Sequence, residues 1–250
     1  MKNLTIDIGN TRTKIVIFEA NEIIHKETLP YLTIPFLKKL AYNHKKANCI
    51  LTVTGNVTAD IEQYLQKKFK TYTRLTHETP VPIENLYKTP QTLGRDRLAA
   101  VVGAQALFPN ENCLVIDAGT CITFDLLNEK GQYLGGNISP GIEMRMRAMH
   151  EFTAKLPLID LKNQKNWIGE DTETALRNGG QLGALLEVRG FIAKCRRKFG
   201  HINVVFTGGS TNFFVKQLKS KIFARPNLVP LGLNQILNYN LGRKTLDNRH

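Results

Sequence analysis

The stretch LTIDIGNTRTK, residues 4–14, puts a carboxylate, a permissive turn and an ammonium group into one short segment. Leu4, Ile6 and Ile8 alternate with Thr5 and Asp7, the period of a strand, so Asp7 falls near its end on the polar face. Gly9-Asn10 marks a tight turn because both residues tolerate positive φ, and KIVIF from Lys14 reads as a returning strand. Such a hairpin tip suits a metal-bound phosphate, and it equally suits an ordinary polar turn. The pattern recurs 110 positions on: Ile6-Asp7-Ile8-Gly9-Asn10-Thr11 returns as Ile116-Asp117-Ala118-Gly119-Thr120-Cys121. A third strand-to-turn junction, INVVF into Thr207-Gly208-Gly209-Ser210, again offers N–H groups, hydroxyls and small residues to an anion. These junctions can meet at one cleft if two chain halves face each other. None is a GxxxxGK[ST] or a GxGxxG loop.

Positioning them takes alternating strands and helices. The spacing predicts helices over 33–46, over 60–70 with Asp60 as N-cap, and over 93–108, ended by Pro109. Asp171 is expected to cap DTETALRN, which should stop at Gly179-Gly180, with a long helix over 182–199 and a last one over 233–241. CILTV from Cys49 reads as a strand. Two halves that each open with a strand, an Asp-x-Gly turn and a return strand predict a duplicated α/β unit. Residues 1–110 form the first half, 111–250 the second, and the boundary near Pro109 is a hinge.

At 250 residues the chain can bury a substantial core, and 42% hydrophobic with 22% charged residues is ordinary for a globular protein. No apolar run approaches the roughly 18 residues of a membrane span, and MKNLTIDIG enters a strand at once, so neither membrane nor signal peptide is expected. Four cysteines without a CxxC pair fit reduced thiols and a cytoplasmic location; six scattered histidines give no zinc spacing. The net charge of +13 is dispersed over Lys38-Lys39, Lys45-Lys46, Lys67-Lys68, Arg196-Arg197-Lys198 and a basic tail. The clusters lie on stretches of helical apolar spacing, which reads as solvated helix faces and disfavours a nucleic-acid partner.

The motifs Asp7-Ile-Gly-Asn-Thr-Arg-Thr-Lys14, Gly94-Arg-Asp-Arg97, Asp117-Ala-Gly-Thr120, Gly135-Gly-Asn-Ile-Ser-Pro-Gly141, Thr153-Ala-Lys-Leu-Pro157 and Thr207-Gly-Gly209 resemble, in order and spacing, the type III pantothenate kinases, also described as Bvg accessory factors. The resemblance covers nearly the whole chain. It implies an acetate-and-sugar-kinase/actin-like fold of two ribonuclease-H-like halves, a homodimer, and ATP-dependent phosphorylation of pantothenate with Mg²⁺ and a monovalent cation, K⁺ or NH₄⁺.

Residue by residue, the resemblance makes Asp7, Ile8, Gly9, Asn10, Thr11, Arg12, Thr13 and Lys14 the phosphate-binding segment. Asp7 would act through Mg²⁺, directly or by way of bound water, and Lys14 would supply charge to phosphoryl oxygens. Asp96 matches the general base. Arg95, Arg97 and the helix N-terminus should all favour its charged form and weaken it as a base, which is tolerable if it chiefly orients the hydroxyl. Tyr87, Gly94, Arg95, Asp96, Arg97 and Thr172 fall on substrate-binding positions, Thr172 across the dimer interface. Asp117 matches the monovalent-cation ligand, Thr120 a second ATP-contacting hydroxyl, and Gly208-Gly209 the adenosine-side loop. Gly135-Gly136 reads as a phosphate-facing turn or a β-bulge. Without the resemblance, Asp96 and Thr172 read as helix-start residues, Arg97 as a surface cation and Tyr87 as packing. Cys121 replaces a usual alanine, and Arg95 a smaller residue; Arg95 would bind an anionic group or point to solvent. Two alternatives remain at this stage: a kinase of another small hydroxylated acid, and a nucleotide- or nucleic-acid-binding accessory protein without turnover.

Overall fold

The computed structural model describes residues 1–44, 46–162, 166–218 and 221–247; Lys45 and His250 lie outside them. The chain opens with β1 (Lys2–Ile8), β2 (Thr13–Glu19), β3 (Glu22–Leu29), α1 (Ile34–His44), β4 (Asn48–Val53), α2 (Ala59–Lys68), β5 (Thr71–Arg74), β6 (Glu84–Asn85) and α3 (Arg95–Leu107). It continues through β7 (Cys113–Ala118), β8 (Cys121–Leu127), β9 (Gln132–Pro140), α4 (Ile142–Glu151) and α5 (Thr172–Arg177). A π-helical turn (Asn178–Leu182) then leads to α6 (Gly183–Phe199), β10 (Asn203–Thr207), α7 (Thr211–Gln217), β11 (Phe223–Ala224) and α8 (Leu228–Asp247).

Two sheets carry one topology twice. The first has the order β3-β2-β1-β4-β5, with β1 antiparallel to β2 and parallel to β4. The second, read from β9, runs β9-β8-β7-β10-β11, the same order with every number raised by six, and β6 is added outside β9. The repeated Asp-x-Gly hairpins therefore mark equivalent corners, β1–β2 and β7–β8, of a duplicated α/β fold.

By compactness the chain divides into one unit of Met1–Glu111, Leu127–Gly135 and Asn227–His250, and a second of Asn112–Leu126 and Gly136–Pro226. One edge falls between Glu111 and Asn112. The closing segment, expected with the second half, groups with the first because α8 packs along α3 and against β1, β2 and β4. That packing is close: a Cβ on Gly103 would lie 2.5 Å from the Leu228 carbonyl oxygen, and one on Gly232 would run into the Ala99 backbone. In the first unit Leu4, Ile6, Ile15 and Ile17 pack with Leu37, Leu51 and Leu65. An amide ladder lies beside them: Asn3 Nδ2 donates to Asn234 Oδ1 and Asn238 Oδ1 at 2.7 Å, and Asn48 Nδ2 donates to Asn3 Oδ1 at 3.0 Å. The second unit packs Leu114, Ile116, Ile122, Phe124, Val188, Ile192, Val204 and Phe206.

Three local expectations are corrected. Thr58, not Asp60, is the N-cap residue of α2; Asp60 sits in the first turn, where its charge favours the helix dipole. The helix capped by Asp171 does not stop at Gly179-Gly180 but passes through the π-helical turn into α6. Its reason is packing: Gly180 is buried against Met146, whose side chain leaves no space for a Cβ. The last helix begins at Leu228 with Pro230 in its opening turn, where a missing N–H costs nothing. Lys38, Lys39, Lys67, Lys68 and Arg196–Lys198 are exposed on α1, α2 and the last turn of α6. No helix among the described residues is long and apolar enough to cross a membrane.

Candidate active site

In the first unit the antiparallel register makes Asp7 and Lys14 direct cross-strand partners, so carboxylate and ammonium share one face. The parallel register sets Asp7 beside Thr52 of β4. Asp7 is buried, at 8% exposure, whereas Asn10, Thr11 and Arg12 stand exposed in the turn. Gly9 N donates to Arg12 O at 3.0 Å and closes that turn; Ile8 ends β1 and Thr13, buried, opens β2.

Helix α3 brings the third acid. Residues Arg97 to Ala104 are all buried, so the helix is a core element and its N-terminus is firmly held. Gly94 is the N-cap and Asp96 lies in the first turn, where Asp96 Oδ1 accepts from Arg97 N at 2.8 Å. Asp96 Oδ2 accepts from the hydroxyl of Thr54, the residue after β4, at 3.5 Å. Thr54 N and Gly55 N in turn donate to Ile8 O, at 2.8 and 3.2 Å, at the base of the Asp7 hairpin. The β4 exit thus joins the hairpin to the acid-bearing helix, and it carried no signal in the sequence.

Beside Asp96, Arg97 is 6% exposed, and its guanidinium carbon lies 5.8 Å from the centre of the Tyr87 ring. Tyr87 stacks on Tyr133 with centroids 6.1 Å apart. Arg97 is therefore no surface cation; it is a buried one lying against an aromatic face. Arg95 is half-buried: its Nη2 donates to Pro90 O and Gln91 O, both at 2.8 Å, and ties the preceding loop to α3, while among the described residues its buried Nη1 meets no acceptor. Gly135 lies next to the Tyr87 ring, and both Gly135 and Gly136 belong to β9. Their segment is a strand, not the phosphate-facing turn the sequence left open.

In the second unit Asp117 and Thr207 are register partners on β7 and β10. The Thr207 hydroxyl is buried and, among the described residues, has no hydrogen-bond partner. Gly208 has φ +93°, and a Cβ there would run into the Asp117 carboxylate, so the turn presses its backbone onto that acid. Gly209 faces open space. Thr120 is exposed in the β7–β8 turn, and its carbonyl accepts from Gly141 N at 3.0 Å. Thr172 belongs to another part of this unit, as the exposed first residue of α5. Asp171 before it forms a capping box with Thr174, whose backbone N–H and hydroxyl hold the Asp171 carboxyl below its usual range.

Asp7, Lys14, Thr54, Tyr87 and Gly94–Arg97 are thus linked through strands and loops of one unit, and Asp117, Thr120 and Gly208 through the other. Among the described residues no three His, Cys, Asp or Glu side chains gather as a metal cage.

Comparison with known proteins identifies the family. Residues 3–194 match the family described as Type III pantothenate kinase. A Type III pantothenate kinase of Bacteroides fragilis is 42% identical over 96% of this chain and 99% of its own, and one of Phocaeicola vulgatus is 43% identical over 95% and 98%. Among solved structures, a Campylobacter jejuni protein described as of the Baf family aligns with TM-score 0.61 at 21% identity, over 96% of this chain and 99% of that one. Lmo2764 of Listeria monocytogenes, provisionally described as an N-acetylmannosamine kinase, aligns with TM-score 0.57 at 12% identity, over 96% and 99%. At these identities the structural likenesses speak for the fold alone: the acetate-and-sugar-kinase/actin-like one.

Proposed function

The chain belongs to the type III pantothenate kinase family, and we propose that Asp96 is the general base of its reaction. The activity is ATP-dependent phosphorylation of pantothenate in the path to coenzyme A. The pantothenate hydroxyl oxygen forms a bond to the γ-phosphorus, the bond to the β,γ-bridging oxygen breaks, and ADP leaves with that electron pair. The hydroxyl proton passes to Asp96 Oδ2. Oδ1 is engaged by the Arg97 N–H, which fixes the carboxylate, and Oδ2, which also accepts from the Thr54 hydroxyl, keeps a second lone pair for the reacting hydroxyl. The observation that carries this reading is the hydrogen-bonded path from Asp96 through Thr54 to Ile8, which connects the acid to the phosphate hairpin.

The remaining roles are those the family resemblance implies, and charge and register support them. Asn10, Thr11 and the turn backbone, with Ile8, Gly9, Arg12 and Thr13, receive phosphate oxygens, and Lys14 balances their charge. Asp7 fits Mg²⁺, because that ion takes one or two carboxylates plus phosphates and water and needs no all-protein cage. Bound there, Mg²⁺ would neutralise phosphate charge. Arg97 and Tyr87, with Gly94, hold pantothenate through its carboxylate and amides, and Arg95 holds the loop that leads to them. Asp117 with the unpartnered hydroxyl of Thr207 suits a loosely held K⁺ or NH₄⁺, an oxygen-ligated cation without tight geometry. Thr120 contacts the nucleotide, and Gly208-Gly209 take the adenosine side.

The protein is further read as a cytoplasmic homodimer in which Thr172 reaches the partner's substrate. Exposed Met144, Phe152, Leu158, Trp167, Ile168 and Leu186 in the second unit support a protein contact, and four free cysteines support a reducing compartment. Sedimentation should give twice the 28.2 kDa chain mass. Incubation with ATP, Mg²⁺, K⁺ and pantothenate should yield 4′-phosphopantothenate by mass spectrometry. Asp96→Asn should lose about 10²–10⁴ in kcat while still binding ATP; undiminished turnover would overturn the base assignment.

A further inference from the structure

We infer that Thr54 is a positioning residue for the phosphoryl transfer, an inference that rests on Asp96 being the base. Three observations converge on the β4 exit. First, the Thr54 hydroxyl is the donor that reaches Asp96 Oδ2, across 42 positions of sequence, while Oδ1 is engaged by the Arg97 N–H. One carboxylate oxygen is thus held by backbone and the other is oriented by a side chain from a different element. Second, Thr54 is itself anchored: its N–H donates to Ile8 O at 2.8 Å, and β4 is paired with β1 along Asn3 to Ile8. Third, Gly55 lies on the turn, where a Cβ would come within 2.6 Å of Gly9 O and 3.6 Å of Asn10 Cα. The pair Thr54-Gly55 therefore touches the phosphate turn on one side and the acid on the other.

The physical consequence is alignment. In-line transfer is sensitive to displacements of about 1 Å between acceptor and phosphoryl group. A clip made of one hydroxyl and two backbone N–H groups keeps the base in register with the turn that holds the phosphates. The Thr54–Asp96 bond is long at 3.5 Å, as catalytic hydrogen bonds in unliganded active sites commonly are before they tighten around substrate. The Thr54 hydroxyl acts through Asp96, so its effect should appear in kcat and leave ATP affinity alone.

The test compares T54V, T54S and D96N in the full-length protein with ATP, Mg²⁺, K⁺ and pantothenate. Valine keeps the β-branched shape and removes the hydroxyl. T54V should lower kcat about tenfold, the range expected on losing a hydrogen bond to a charged group, with the KM for ATP within about twofold of the parent. T54S should recover kcat to within about twofold. T54V at parental kcat, with D96N inactive, overturns the role of Thr54 and leaves the base assignment standing. A loss in T54V that T54S does not recover also overturns it, because shape and not the hydroxyl would then matter. Full turnover by D96N overturns the base assignment itself, and the role given to Thr54 with it.

Discussion

The two Asp-x-Gly hairpins start from one sequence pattern and end as different devices. Between β1 and β2 the chain spends residues 9–12 on the turn; between β7 and β8 it spends only residues 119 and 120. The longer turn exposes Asn10, Thr11 and Arg12, and its return strand sets Lys14 opposite Asp7. The shorter turn exposes Thr120 alone, and its return strand places Ile122 in the core at 1% exposure. Around Asp7 the neighbours are an ammonium and the Thr52 strand position; around Asp117 they are Thr207 and a glycine backbone. A carboxylate next to a cation and an open turn suits a metal-linked polyanion. One next to a buried hydroxyl and a tight backbone suits a single weakly held cation. Loop length and the ammonium opposite Asp7 underlie the two roles proposed for these hairpins.

The largest break in this comparison should come from Asp7→Asn against Asp117→Asn. The first should cost about 10²–10³ in kcat at saturating ATP, the scale of removing one preorganised electrostatic group. The second should retain turnover but flatten the response to added K⁺, measured as initial rate against potassium concentration. Equal losses, with the same potassium response, would mean that the hairpins do the same work.

A smaller contrast lies at the start of the same strands, where Asn3 of β1 and Cys113 of β7 occupy equivalent places in the repeat, each buried and paired in register with an asparagine, Asn48 or Asn203. Asn3→Ala strips the amide ladder of its centre and leaves buried partners unmatched. It should lower stability by about 1–3 kcal/mol in urea unfolding, and Cys113→Ala should cost less. Gly208→Ala against Gly209→Ala is a test within one turn. The former forces a side chain into positive φ and onto Asp117, costing about 1–3 kcal/mol. The latter meets open space and should stay within about 0.5 kcal/mol. The smallest effect is one of reactivity: Cys121, half-buried in the second hairpin where the first has Thr11, should be alkylated before the others. Burial pushes the Cys49 thiol up and, to a lesser extent of enclosure, Cys195, which keeps both protonated at neutral pH.

What the sequence determined by itself was local and periodic. The alternation through Leu4, Ile6 and Ile8 and the polar break after it marked the Asp7 hairpin, although the turn spans residues 9–12 and neither Gly9 nor Asn10 takes the positive φ the pair tolerates. The alanine-rich run after Gly94 marked α3, and Asp171 marked the N-cap of α5, because each such signal acts within a few residues. The 110-residue recurrence pointed to the duplication that the two sheet orders carry. Tertiary structure alone decided the rest. Packing against Met146 carried a helix through Gly179-Gly180, where propensity favours a stop. The approach of α8 to α3 at Gly103 and Gly232 moved the last segment into the first unit. Arg97 became a buried partner of Tyr87, and Asn3, Asn48, Asn234 and Asn238 became one network. Thr54 met Asp96 only because β1, β4 and α3 come together in space. Such contacts join residues tens to hundreds of positions apart, and no local pattern encodes them: their energy exists only once the intervening chain has folded.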